Sequence, residues 1–90
     1  MLNRIGQGDL VIATSGRDKD KIFLVIETTI TQAKIVNGKS RKVLSPKTKN
    51  VKHLKVIKSA VLVELAKRII GGECVGNDTV RKAITEYEKI

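Results

Sequence analysis

One phenylalanine (Phe23), one tyrosine (Tyr87) and no tryptophan occur in these 90 residues, alongside a single cysteine, proline and histidine. Each scarcity excludes something. Proteins that bind single-stranded nucleic acid stack bases on aromatic platforms, worth about 1–3 kcal/mol per base. Phe23 lies inside an apolar run and Tyr87 on an apolar helix face, so no platform is expected and base-by-base reading of sequence is disfavoured. Cys74 alone forms no internal disulfide and fits a reducing, cytoplasmic setting. A small buried apolar role is expected for it. His53 and Cys74 together fall short of a zinc ligand set. Neither G-x-x-x-x-G-K-[ST] nor G-x-G-x-x-G is present, and the carboxylates are scattered. No enzyme, metal or other cofactor is expected. No run of 18 apolar residues exists, so no membrane-spanning helix is expected, and Met1-Leu2-Asn3-Arg4 does not begin a secretory leader.

The most informative absence is local. Residues 39–58 contain eight basic side chains and not one acid. Residues 1–58 hold 13 Lys/Arg against 4 Asp/Glu, whereas residues 59–90 hold five of each sign. The whole net charge of +9 therefore sits in the first two thirds of the chain. Solubility is served by mixed signs or by acids, so an acid-free run of twenty residues points to a polyanion partner.

Hydrophobic residues make up 41% of the chain, enough for one modest aliphatic core. Two apolar runs, Leu10-Val11-Ile12-Ala13 and Ile22-Phe23-Leu24-Val25-Ile26, flank the polar loop 15–21. Both have strand length and β-branched content, and Gly16 supplies the positive φ needed to leave the first. Residues 32–36 alternate as a third strand. Asn37-Gly38 then predicts a type I′ hairpin, with a fourth strand over residues 39–44 ended by Pro46 and a polar loop over residues 47–50. Asn50 caps a one-turn helix over 51–54, and residues 55–57 supply a fifth strand. Five short strands with a helical turn before the last describe an SH3-like barrel.

After Ile57 the apolar period changes. Ser59 is expected to cap a helix with Val61, Leu62, Leu65, Ala66, Ile69 and Ile70 on one stripe, stopped by Gly71-Gly72. A second helix follows, capped by Asn77 or Asp78, with Val80, Ala83, Ile84 and Tyr87 along one face. The expected organisation is mainly β with C-terminal α: a barrel over 1–58 and a helical pair packed on it over 59–90.

Gly8-Asp9, the loop glycine Gly16, the Arg/Lys-rich loop and the apolar second strand resemble the KOW motif. That strand-loop-strand unit occurs in ribosomal proteins and in elongation factors of the NusG/Spt5 type. Ala13-Thr14-Ser15-Gly16-Arg17-Asp18, Arg41-Lys42-Val43 and Asn50-Val51-Lys52-His53-Leu54 follow in the order seen in the archaeal and eukaryotic large-subunit ribosomal protein family numbered fourteen and its bacterial KOW-domain relatives. The likeness covers residues 6–57. The family usually has a glycine before the loop lysine, where this chain has Asp20 before Lys21. Asp tolerates the left-handed region better than most residues. In that family a histidine follows the asparagine, so His53 holds the turn or touches RNA.

The resemblance implies RNA, and ribosomal RNA of the large subunit in particular, with a role in translation as a ribosomal protein or ribosome-associated factor. Recognition would run through phosphate and 2′-hydroxyl contacts. Arg17, Lys19, Lys21, Lys39, Arg41, Lys42, Lys47, Lys49 and Lys52 form the expected contact set, with Arg41 suited to bidentate phosphate binding. Reversing the charge of Arg41, Lys42 and Lys49 is expected to abolish binding without unfolding the barrel. Two alternatives stand beside this reading. One is a protein-interaction module of the elongation-factor kind, docking a ribosomal protein through the C-terminal helices. The other is an architectural duplex-DNA binder.

Overall fold

The computed structural model of the chain describes residues 5–88. Five strands, β1 (Leu10–Ala13), β2 (Ile22–Thr28), β3 (Gln32–Val36), β4 (Lys47–Asn50) and β5 (Leu54–Lys58), form one antiparallel sheet in the order β4-β3-β2-β1-β5. A 3₁₀ turn at Val51–His53 joins β4 to β5, and helices α1 (Val63–Ile70) and α2 (Asn77–Glu88) follow. The ladder ends at β4 and β5, which do not pair with each other.

The run Phe23-Leu24-Val25-Ile26 is buried on both sides, because successive strand residues face opposite ways. Leu24 and Ile26 join Leu10 and Val36 beneath the helices, where Ala66, Ile69, Val75, Val80 and Ile84 meet them. Phe23 and Val25 face the other way, into a second core with Val11, Ala13, Ala33, Ile35 and Leu54. Among the described residues neither α1 nor α2 contributes to that face. Its members come from the sheet itself, with half-buried Ile5, Val51 and Val56 closing over them. Register shifts at Val25/Glu27 and at Leu10/Val11 mark irregularities of the β-bulge kind, which increase twist and bend the strands. Residues of four of the five strands thus bury one another on this face.

Gly8-Asp9 joins the sheet to the helices. The buried Asp9 carboxylate accepts from the Gly6 N–H (2.8 Å) through Oδ2 and from the Ala60 N–H (2.7 Å) through Oδ1. Gly8 donates to the Val25 carbonyl and accepts from Leu62 N–H. A Cβ on Gly8 would lie 2.5 Å from the Val63 Cα, so the close approach of α1 requires glycine.

Several local expectations give way to these contacts. Ser59 does not cap α1: the chain bends over 59–62, Ala60 takes φ 53°, and Leu62 stands at the N-cap without a side-chain bond. Asp9 and Gly8 occupy the amides that a serine cap would otherwise leave free. Asn77 begins α2 rather than capping it, and its side chain accepts from the Val43 N–H instead (2.8 Å). Cys74 is exposed, because its neighbour Val75 takes the inward position in the link between helices. The α1 stripe is buried at Ala66 and Ile69, and the α2 stripe at Val80 and Ile84.

The largest departure is the fourth strand. Residues 39–44 form no strand, and Lys47–Asn50, expected as a loop, is β4. Gly38 has φ 76°, but Asn37 is not in the left-handed region, so no type I′ turn forms. The Asn37 Oδ1 instead accepts from the N–H groups of Lys39 (2.9 Å) and Arg41 (3.0 Å). That arrangement replaces the hairpin with a side-chain-held loop. The one-turn helix does form where expected, with the Asn50 side chain accepting from the Lys52 N–H.

Candidate nucleic-acid interface

The loop between β1 and β2 is shaped by its own backbone. Asp20 donates to the Ala13 carbonyl (2.8 Å), Lys19 to Gly16 (3.2 Å) and Lys21 to Asp18 (3.0 Å). Gly16 at φ 79° and Asp20 at φ 71° make the two left-handed corners. Asp20 thus stands in the left-handed region where the KOW pattern has glycine. Arg17, Lys19 and Lys21 are all exposed on this loop.

The ten-residue loop 37–46 runs between β3 and β4 with no ladder of its own. Three contacts place it. Asn77 of α2 accepts from the Val43 N–H, Arg81 donates from Nη1 to the Gly38 carbonyl (2.9 Å), and half-buried Val43 packs on the core beneath the helices. Gly38 itself lies so close to α2 that a Cβ would overlap the Asn77 carbonyl oxygen. Lys39 and Lys42 point into solvent from this loop.

Two contacts stitch the loops together. Arg41 reaches the buried Asp18 carboxylate, with Nη2 at 2.9 Å and Nε at 3.3 Å from Oδ2. Lys49, opposite Ala33 in the ladder, extends its Nζ to the Ser15 carbonyl (3.0 Å). Segments 15–21 and 37–49, separated by β2 and β3, therefore form one surface. Asp18 contributes little free negative charge to it, since Arg41 lies against its carboxylate and the side chain is 5% exposed.

Of the nine residues expected from sequence, seven present exposed cations: Arg17, Lys19, Lys21, Lys39, Lys42, Lys47 and Lys52. Arg41 and Lys49 are half-buried and already engaged with protein acceptors. Arg41 is thus an anchor of the surface, and charge reversal at Arg41 and Lys49 would remove the contacts that join the two loops together with two of the cations. The sequence reading also passed over Arg81, which sits in the charge-balanced part of the chain yet borders the basic loop. On sequence alone Arg81 stands in a segment with equal numbers of basic and acidic residues, which gives no sign that it borders the basic loop. His53 is half-buried and its carbonyl accepts from the Thr14 N–H, which places it in the turn. Among the described residues no group of acidic, histidine and cysteine side chains is arranged to hold a metal ion, and no helix is long and apolar enough to cross a membrane.

No known protein-family model matches the chain, and no curated protein matches it.

Proposed function

We propose that the chain is an RNA-binding protein of the KOW type, with an SH3-like barrel that grips structured RNA through phosphates and ribose hydroxyls. Large-subunit ribosomal RNA is the favoured target, met as a ribosomal protein or a ribosome-associated factor in the cytoplasm. The strand order β4-β3-β2-β1-β5, the 3₁₀ turn linking the two edge strands and the helix-free second core support the barrel reading. In that reading the ends of the sheet meet across the 3₁₀ turn rather than through ladder hydrogen bonds.

The observation that carries the functional reading is the stitching of two basic segments into one surface by Arg41–Asp18 and Lys49–Ser15. Seven exposed cations then lie along that surface and the adjoining β4 and 3₁₀ turn, with Asp20 as the exposed acid of the loops. Lysines act as point charges toward phosphate, so affinity should fall steeply with salt. The expected log–log slope is about −0.7 to −0.9 per phosphate contact. Phe23, the one phenylalanine, is fully buried, which favours recognition of folded RNA by shape over stacking on unpaired bases.

The test uses residues whose side chains have no structural task. Lys42→Glu, Lys47→Glu and Lys52→Glu together should abolish binding to a structured RNA such as transfer RNA or a large-subunit ribosomal RNA fragment, while the urea midpoint stays close to that of the parent. Unaltered affinity in the triple variant sinks the reading. Equal affinity for duplex DNA would favour an architectural DNA binder. Sedimentation with the large subunit at low salt, lost at high salt, is expected of an associated factor held by phosphates.

A further inference from the structure

A cleft of about 360 Å³ opens between the end of the β1–β2 loop, the turn at residues 37–40 and the exposed side of α2. Its volume lies toward the small end of the range for ligand pockets, roughly 300–1,000 Å³. Three cations border it, Lys21, Lys39 and Arg81, together with two carboxylates, Asp20 and Glu88. Ile22 and Ile84 give it an apolar floor. We infer that this cleft takes a single ribonucleotide unit extruded from the bound RNA, an inference that rests on the RNA-binding reading above.

The walls are fixed before any ligand arrives. Asn37 is buried with both ends of its amide engaged: Oδ1 accepts two backbone N–H groups and Nδ2 donates to Ser40 Oγ (3.2 Å). Arg81 is tethered through Nη1 to the Gly38 carbonyl. A guanidinium held by one nitrogen has less entropy to lose when its other N–H groups meet a phosphate. Asp20, in the left-handed region at φ 71°, is fixed by its N–H bond to Ala13.

The mixture of charges selects the ligand. Three cations bordering a small volume suit one phosphate. Two carboxylates in the same cleft would repel the extra charge of a polyphosphate, but they accept hydrogen bonds from hydroxyl and amine donors. Ribose hydroxyls are such donors, and an acidic side chain on a ribose 2′-OH is a recurrent recognition device. The apolar floor fits the face of a sugar or base. Phosphate, hydroxyl donors and an apolar face occur together in a ribonucleotide, and the 2′-OH is the group that separates RNA from DNA. This cleft gives α2, from the charge-balanced last third of the chain, a part in recognition.

The test titrates the isotope-labelled protein with the four nucleoside 5′-monophosphates, their 2′-deoxy counterparts and inorganic phosphate, following amide shifts. Saturable shifts at Asp20, Lys39, Ser40 and Thr85 are expected with ribonucleotides. Binding of the deoxy counterparts should weaken about tenfold, the equivalent of one lost hydrogen bond. Thr85 is exposed and its hydroxyl bonds only within its own helix, so Thr85→Met obstructs the cleft without disturbing the core. That variant should lose the shifts and bind structured RNA several-fold more weakly at an unchanged urea midpoint. Arg81→Gln should make the RNA salt slope shallower by about one contact. Equal shifts with phosphate or deoxynucleotides would reduce the cleft to a plain anion site and overturn the inference. So would an absence of shifts with RNA affinity unchanged in Thr85→Met, a result that leaves the RNA-binding reading standing. A parent protein that binds no structured RNA sinks that reading and the extruded nucleotide with it.

Discussion

The 14–21 loop is shaped by hydrogen bonds among its own backbone groups, whereas the 37–46 loop is placed by side chains that arrive from far along the sequence. Both carry exposed cations to one surface. The first turns on Gly16 and Asp20 at its left-handed corners, and its distant partners, His53, Arg41 and Lys49, meet a loop whose own backbone bonds already shape it. The second borrows Asn77 and Arg81 from α2 and Asp18 from the first loop. Local loops are specified by a few residues in order. Borrowed loops are specified by partners whose meeting depends on the whole fold.

The left-handed glycine in each loop gives the sharpest way to break this contrast. Gly38→Ala adds positive-φ strain and drives a Cβ into the Asn77 backbone carbonyl, which α2 holds in place. A loss of about 3 kcal/mol or more is expected from the strain and the overlap together. Gly16→Ala at φ 79° meets only the flexible end of Lys49, at 3.4 Å. Its loss should be limited to the left-handed penalty of about 1–2 kcal/mol. Urea unfolding of the two variants measures the difference directly. Equal losses would mean that the second loop is not pressed against α2.

Next in size is the ion pair between the loops. Asp18→Asn keeps the shape of a buried group but removes its charge from a partner 30% exposed. Hydrogen bonds to charged groups contribute about 1.5–3 kcal/mol, and partial solvation of Arg41 places the expected loss toward the lower end. Because the pair joins the loops, hydrogen exchange should quicken in both 14–21 and 37–46. Quickening confined to the first loop would show that Arg41 does not transmit the restraint.

How much of this could be read beforehand follows the same division. Strands β1, β2, β3 and β5 fall where apolar runs of strand length lie, and the Asn50-capped turn was signalled by its own residues. The Asn37-Gly38 signal misled because a hairpin needs a second strand able to use it. Residues 39–46 bring two apolar side chains, of which Val43 is drawn toward the helices and Leu44 is 94% exposed. The strand that does pair with β3, Lys47–Asn50, contains no apolar residue at all. An edge strand gains from ladder hydrogen bonds more than from burial, and lysines on an edge discourage pairing with other chains. Hydrophobic periodicity is blind to such a strand. The basic surface was visible as composition, yet the engagement of Arg41 and Lys49 was not, since their acceptors lie 23 and 34 residues away.

Asn77→Ala isolates a single borrowed contact. Its Oδ1 accepts the Val43 N–H at 2.8 Å across 34 residues, and a typical net contribution for one such bond is about 0.5–1.5 kcal/mol. The Val43 amide should exchange faster, while the amides of 14–21 keep their protection because that loop is closed by its own backbone. Affinity for structured RNA should then fall only as far as Lys39 and Lys42 lose their fixed places. By comparison, Lys47→Ala on the edge strand should change stability by less than about 0.5 kcal/mol while still making the salt slope shallower. The pair of variants separates holding the surface from being the surface: one changes exchange and stability first, the other changes salt dependence alone. If Lys47→Ala left the salt slope untouched, the basic edge would belong to the sheet's defence against pairing with other chains, and the contact surface would contract to the two stitched loops.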